Sequence, residues 1–524
     1  MKNFSRADIF TMVIIFLLGL TLRFYNLSNI PPGIHGDEAE FGLRQQLVIA
    51  EKNTSLFTLY DPHSLFNYSV LSYWTQGIFQ LIFGETVFGI RASSALAGSM
   101  SIIIFFFMTQ LFFKQKIISI LLMLGFATSH WHIAYSRLAI NNSWTPFFII
   151  ASLGFLYKAF KTNKQTFYLA SGIMWGLSLY FAQANRVIPI IAILWCLIHI
   201  CFKKGGRLSN LKSMTSMAVA GLLTFLPLGI FYLNTPGVFS SRTDIVSIFN
   251  HLPEYYVRYQ TENIFGVLFW QFINTLKVFP IGGDIGFYFY AYPGGLLAPV
   301  SAILAIAGLA IVLRFTKTER SLLFLSWFLS IIILGGVITI DAPSSQRLLA
   351  VIPALYLFIG VALEKLLQLK LTSIKLILVI LFAINSLWDY KIYFRDYINT
   401  QAGWAQREPA TQIAYYLKSL GNNWKVYMLR EEPWFYFQHG TIKFINPDLE
   451  GYDIENLQTA VLLEGLSNKN VVYIMPYYSP SLTKLLAFYP TGNVQLFLNP
   501  IGNTPAFASF EIKNQSLLRR TIEP

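Results

Sequence analysis

The sequence predicts an α-helical polytopic membrane protein of about eleven to thirteen transmembrane helices, followed by a small C-terminal α/β domain outside the membrane. Three observations lead there. Of 524 residues, 54% are hydrophobic and only 12% charged, about half the charged share of a soluble domain. Apolar runs of span length recur from residue 8 to residue 391. Lysines and arginines sort to alternate loops between them.

The first run, 8–25, follows a basic start and lacks a small-residue cleavage site, so it reads as a retained span. Further runs fall near 88–113, 116–134, 143–160, 166–182, 187–202, 214–233, 294–313, 321–340, 347–364 and 374–391. With a cytoplasmic N-terminus, the inside segments hold Lys2/Arg6, Lys114/Lys116, Lys158/Lys161/Lys164, Lys203/Lys204/Arg207/Lys212, Arg314/Lys317/Arg320 and Lys365/Lys370/Lys375. The short outside loops hold almost no lysine, as the positive-inside rule requires. This predicts a multi-pass protein of the plasma (inner) membrane with an extracytoplasmic C-terminal domain. It also accounts for the net charge of +13 without a nucleic-acid partner. Cys196 and Cys201 share one apolar run, form no disulfide framework, and are expected as inert buried thiols.

Three long segments face outward: 26–87, 234–293 and the tail from about 392. Within the second, "VLFWQFINTLKVF" (267–279) is apolar enough for an interfacial or re-entrant helix, or for an extra pair of crossings. The domain boundaries follow: 1–392 is a transmembrane domain whose first outer loop is 26–87, and 393–524 is an α/β domain. In that tail, "EPATQIAYYLKSLG" has Pro409 just inside a helix start and Gly421 at its end. "KVYML", "IKFIN", "NVVYIM" and "VQLFL" are strand-like runs. The tail shows no Gly-rich phosphate loop, metal cluster or nucleophile motif.

The first outer loop carries the chemistry-bearing residues. "PPGIHGDEAEFGL" (31–43) crowds Asp37, Glu38 and Glu40 together. Ala39, Leu43, Leu47 and Ala50 fall on one helical face, and Asp37, Glu40 and Arg44 on another, as in an amphipathic interfacial helix. Asp37 suits an N-cap with Glu40 as its capping-box partner three residues later. Glu38 fits that role least. A second helix is expected from Asp61 as cap and Pro62 as its first residue. On local grounds the carboxylates serve either a helix start or a reaction.

Single arginines recur at the outer ends of spans: Arg44, Arg91, Arg137, Arg186, Arg242 and Arg347. One reading is interfacial snorkelling. The other is phosphate recognition, for which a permanently charged, bidentate guanidinium is suited. Carboxylates and arginines at one membrane face describe a cavity where a phosphate leaves and a hydroxyl attacks. His130 and His132 end a span on the same side, as structural or cavity-lining histidines.

In this setting the sequence resembles the GT-C glycosyltransferases, specifically the protein O-mannosyltransferase and aminoarabinose-transferase-like group (families 39 and 83). "HGDEA" looks like the Asp-Glu motif of their first outer loop. The likeness continues in order through "DPHSLFNYSVLSYW", "FGETVFGIRASSALAGSMS", "HIAYSRLAINNS", "ANRVIPIIAILW" and "SSQRLLAVIPALYLF", over roughly residues 8–365. The resemblance implies a polyprenyl-phosphate-linked sugar donor. It also implies a lipid, glycan or protein acceptor approaching from the non-cytoplasmic side, and inversion at the anomeric carbon. Mapped by motif, the catalytic pair is Asp37, in the place of the catalytic base, and Glu38, the adjacent acidic residue that shapes the site or binds acceptor. Arg137 matches the Tyr-Ser-Arg position and, with Arg91, Arg186 and Arg347, is expected at the donor phosphate. His35, Glu40, Arg44, His63, His132 and Tyr135 are expected to line the substrate cavity. Ala-Glu-Phe after Glu38, His63-Ser64-Leu65 in place of His-Pro-Pro, and no acidic residue in "LAINNSW" depart from the pattern and leave the acceptor open.

Phosphate is a good leaving group, so the chemistry asks for positive charge to hold it and a base on the opposite face of the sugar. His35, Asp37, Glu38 and His63 offer metal ligands, but their spacing matches no standard motif. No cofactor is expected, with a divalent ion as the open alternative. The alternative function is a transporter or flippase of lipid-linked sugars. Such proteins place charges near the midplane and show pseudo-repeats, whereas here the charges cluster at one face and no repeat is visible.

Overall fold

The computed structural model describes residues 4–63, 68–202, 207–284, 289–290, 292–315, 318–369, 373–400, 408–433, 435–455, 457, 469–500 and 502–513. The chain divides into two compact units. A helical unit comprises Met1–Ser28 and Gln45–Tyr397, and a sheet unit comprises Asn29–Arg44 and Ile398–Pro524.

The helical unit is built from α1 (Arg6–Phe24), the end of α2 (Gly36–Ala50), α3 (Val70–Phe83), α4 (Val87–Phe112), α5 (Lys116–Thr128), α6 (His130–Ser136), α7 (Thr145–Thr162), α8 (Gln165–Ser178), α9 (Val187–Phe202) and α10 (Arg207–Asn234). The amphipathic α11 (Val238–Val246), α12 (Leu252–Tyr259) and α13 (Ile264–Lys277) follow, then α14 (Pro299–Arg314), α15 (Glu319–Ile331), α16 (Ile352–Leu367) and α17 (Ile374–Lys391). Every apolar run read from the sequence overlaps these helices, the run 116–134 falling on both α5 and α6, and the run at 267–279 overlaps α13. Among the described residues, seven helices are long and apolar enough to cross a membrane, eight if α5 and α6, bent by 53°, form one span. The count falls below eleven because several runs fold into short helices, such as α14 with 16 residues and α8 with 14. A straight span needs about 20 residues. Both cysteines are free thiols, Cys196 buried and Cys201 on the protein surface.

Small residues let these helices meet closely. On α4 the buried stripe includes Arg91, Ser94, Ala95, Gly98, Ser101 and Ile102. A Cβ on Gly98 would overlap Ser136 at the end of α6 and stand 3.0 Å from Arg23 Nε on α1. Three helices therefore converge at one glycine. Without a hydrophobic driving force between helices in lipid, such close contact supplies much of the packing energy.

The sheet unit holds a five-stranded mixed sheet in the order β2-β1-β3-β5-β4. Its strands are β1 (Trp424–Leu429), β2 (Gly451–Ile454), β3 (Asn470–Met475), β4 (Asn493–Leu498) and β5 (Pro505–Ile512). β1 pairs parallel with β2 and β3, while β5 runs antiparallel to β3 and β4. The central strands are buried along nearly their whole length, which suits their continuous apolar sequences. Tyr427, Leu429, Val471, Tyr473, Met475, Leu485 and Phe510 form the core. The helices of this unit are α18 (Glu408–Leu420), α19 (Gly440–Ile445) and α20 (Ser481–Phe488). α18 stops at Gly421, whose φ of +77° is the left-handed geometry of a glycine helix stop.

Three local expectations are corrected. "IKFI" of "IKFIN" is helical, within α19 and ending at its C-cap Asn446; His439 caps its start by accepting the Thr441 N–H at 3.2 Å. The strands at 451–454 and 505–512 complete a sheet that the sequence only partly disclosed. The helix expected from Asp61 begins instead at Val70, with Ser69 as its cap. Asp61 accepts the His63 N–H at 3.2 Å in a local turn, and residues 64–67 lie outside the described residues.

Candidate active site

The acidic stretch is organised by its helix start. α2 begins at Gly36, so His35 is the cap and Glu38 the third helical residue. The Asp37 N–H donates to His35 Nδ1 at 3.1 Å, and the His35 N–H donates to Glu38 Oε2 at 3.2 Å. This is a capping box, displaced by two residues from the one expected at Asp37 and Glu40. Since Nδ1 accepts a hydrogen bond, the His35 ring carries its proton on Nε2 when neutral. The 3.9 Å approach of Nδ1 to Asp37 Oδ1 is then not a hydrogen bond.

The three carboxylates thereby separate by role. Glu38 is fully buried. Glu40 pairs with Arg44 Nε at 2.9 Å, an i,i+4 contact along the helix. Asp37 keeps 39% of its side chain exposed. The buried positions are Glu38, Ala39, Phe41, Gly42, Gln45 and Val48, whereas Leu47 is exposed. The inward face is therefore rotated from the expected Ala39–Leu43–Leu47 stripe, and its polar members hold the helix rather than the solvent.

Within the same unit, Tyr436 and His439 border this stretch. A Cβ on Gly36 would stand 3.1 Å from His439 Cε1. Burial lowers the His439 imidazole to about 4, so it is neutral near pH 7. The half-buried Tyr436 phenol is pushed above its ordinary range, first by burial and then by the charges of Asp37 and Glu40. It therefore keeps its proton.

The helical unit holds the other expected residues. Arg91 and Arg137 are fully buried and converge on the end of α1. Arg137 donates to the carbonyls of Leu22 at 2.7 Å and Tyr25 at 2.6 Å, and Arg91 to that of Leu27 at 3.2 Å. Guanidinium groups at a helix C-terminus complement its exposed carbonyls and dipole. The Arg137 guanidinium also lies over the rings of Phe394 and Tyr393, at 5.3 and 5.9 Å. His132 joins this cluster through Arg23, a residue the sequence reading did not single out. Arg23 donates to His132 Nδ1 at 2.8 Å and to the carbonyls of Gly19 and Ala127. The His132 Nε2–H then faces Ser101 Oγ at 3.3 Å.

Tyr135 hydrogen-bonds Ser345 Oγ at 2.8 Å, and Gln346 donates to Asn142 at 3.2 Å. The Tyr-Ser-Arg loop and the Ser-Ser-Gln-Arg loop are thus tied together. Arg347, next in the chain, donates to the Ile340 carbonyl. Arg186 has different neighbours, Thr243 Oγ1 at 3.3 Å and the Phe239 ring at 3.9 Å. His63 is exposed. Among the described residues no three His, Cys, Asp or Glu side chains converge to hold a metal ion.

With this geometry in hand, relatives can be named. Residues 67–231 match the family of dolichyl-phosphate-mannose-protein mannosyltransferases. A crystal structure of apo ArnT from Cupriavidus metallidurans superposes with a TM-score of 0.58 at 12% identity, covering 96% of this chain and 97% of that one. The chain has the GT-C glycosyltransferase fold. The similarity expected from motif order, to the mannosyltransferase and ArnT type, is borne out. ArnT from the same organism bound to undecaprenyl phosphate matches with a TM-score of 0.56 at 13% identity, over 97% and 98% of the two chains. The archaeal oligosaccharyltransferase AglB from Archaeoglobus fulgidus, in complex with an inhibitory peptide and a dolichol-phosphate, gives 0.54 at 13% identity, over 96% and 74%. The matched family and these structural neighbours of the chain are sugar-transferring enzymes. No curated protein matches it.

Proposed function

We propose that this protein transfers the sugar of a polyprenyl-phosphate donor to an acceptor hydroxyl on a lipid, glycan or protein, with inversion, at the non-cytoplasmic membrane face. The observation that carries the reading is the division of labour at the start of α2. Glu38 closes the capping box and Glu40 pairs with Arg44, while Asp37 is the most exposed carboxylate of the three. Asp37 takes the proton of the attacking hydroxyl as its oxygen bonds the anomeric carbon. The bond from that carbon to the phosphate breaks, and its electron pair leaves with the phosphate. By the same resemblance, Arg91 and Arg137 supply positive charge for the departing group. The undecaprenyl and dolichol phosphates named in the ArnT and AglB complexes support a lipid phosphate as the donor carrier. The segregation of lysines supports a cytoplasmic N-terminus.

In proteoliposomes given labelled polyprenyl-phosphate mannose, the wild type releases polyprenyl phosphate and labels the acceptor. Asp37→Asn lowers that release by about 10²- to 10⁴-fold, the usual worth of a general base. Unchanged turnover removes Asp37 from the role. Movement of intact lipid without release identifies a transporter instead. The reaction as proposed needs no resident metal, so EDTA leaves the rate unchanged. A loss restored by magnesium or manganese overturns that part.

A further inference from the structure

The sheet unit reaches the acidic stretch through backbone as well as side chains. The Ile34 N–H donates to Thr411 Oγ1 at 2.9 Å, and the Ile34 carbonyl accepts from Thr441 Oγ1 at 3.1 Å. Two residues on, Gly36 abuts His439, with 3.1 Å from a would-be Cβ to Cε1 and 3.2 Å to Nε2. A Cβ on Gly440 would in turn lie 2.9 Å from the Gly36 carbonyl. The paired glycines bring the start of α19 against the start of α2, closer than side chains would allow.

His439 is fixed on both sides. Its Nδ1 accepts the Thr441 N–H, and its ring packs at 5.2 Å on that of Tyr436. The half-buried Tyr436 is thereby held beside Asp37 and Glu40, whose charges act on its phenol. Glu40 already has Arg44 as its partner. This edge carries Asp37, assigned above as the base, next to a phenol that keeps its proton and can donate a hydrogen bond. An acceptor sugar or hydroxyl side chain presents that pairing: one O–H to give up and a neighbouring oxygen to be held.

We propose that Tyr436 contacts the acceptor and that His439 is its positioning residue, so that the C-terminal region shapes acceptor selection. This rests on the assignment of Asp37 as base. The phenol donates to an oxygen adjacent to the reacting hydroxyl and takes no part in bond making.

The test uses the full-length enzyme, polyprenyl-phosphate mannose as donor, and as acceptor a serine-containing peptide or lipid A, whichever the wild type glycosylates. Tyr436→Phe keeps the ring and removes the donor. It raises the acceptor KM by about five- to tenfold, the worth of one hydrogen bond, with kcat and donor KM within about twofold. His439→Asn keeps an acceptor for the Thr441 N–H but lacks the ring, and gives the same KM pattern. The double variant is then no worse than the poorer single one, as expected of residues acting as a unit. Unchanged acceptor KM in Tyr436→Phe overturns the inference. So does a joint loss of kcat, donor KM and thermal stability, which marks a purely structural role. A wild type that releases no polyprenyl phosphate defeats the transferase reading itself, and this inference with it. Normal wild-type transfer beside a normal Tyr436→Phe defeats this inference alone.

Discussion

Glu38 and Asp37 are adjacent, both acidic, and assigned opposite duties, so exchanging each for its amide separates them. Glu38 is fully buried and accepts the N–H of His35, itself only 8% exposed. Glu38→Ala leaves that N–H without its partner, which costs about 1–3 kcal/mol. It also removes one arm of the cap, worth about 0.5–2 kcal/mol. The two terms describe the same bond, so the expected loss is about 2–3 kcal/mol rather than their sum. Glu38→Gln keeps an oxygen acceptor and loses only the charge assistance, about 1 kcal/mol. The assay pairs thermal unfolding of detergent-purified protein with the rate of polyprenyl phosphate release. Glu38→Gln melts slightly lower and retains transfer within about fivefold, whereas Asp37→Asn melts like the wild type and loses about 10²-fold or more. A Glu38→Gln protein that is folded yet as inactive as Asp37→Asn refutes the reasoning, because a spectator cap cannot abolish proton transfer.

Gly98→Ala forces a methyl into Ser136, so it destabilises by about 1–3 kcal/mol, and Ser136→Gly in the same chain restores part of the loss. Thermal unfolding of the single and double variants measures both; additive losses contradict the packing argument. His439 gives the pH dependence. Its folded value of about 4 lies below the ordinary 6.5, so its contribution is complete above pH 6.5 and is lost as pH falls toward 4. The change amounts to at most about 3 kcal/mol, and hydrogen exchange of the sheet-unit amides between pH 7 and 4.5 follows it. His439→Gln flattens that dependence, and an equally steep profile in the variant assigns it to other groups.

The helices were legible because a span needs a long apolar run, and each run from 8–25 to 374–391 became helical. The acidic motif was legible as a helix start but not in register. His35 supplies the capping atom through its ring, outside the Ser, Thr, Asp and Asn that a cap search favours. Arg23 was missed because an arginine near the end of a first span looks like a snorkelling residue. Its burial depends on Gly98 and Ser136, far along the chain. "IKFIN" carries β-branched residues, yet its "IKFI" is helical behind the cap from His439. The bonds from Ile34 to Thr411 and Thr441 span 377 and 407 positions, beyond any local pattern.

Those two bonds bear on how the chain can be cut and recombined. Residues Asn29–Arg44 belong to the same compact unit as Ile398–Pro524, so the C-terminal region is not a module appended to a finished enzyme. Truncation near residue 397 strips the Ile34 amide and carbonyl of their threonine partners, at about 1–3 kcal/mol for each buried group left unmet. A chimaera that borrows a tail from a protein of the same fold inherits the same fault unless it borrows residues 29–44 as well. The unit of inheritance, and of engineering, is the pair.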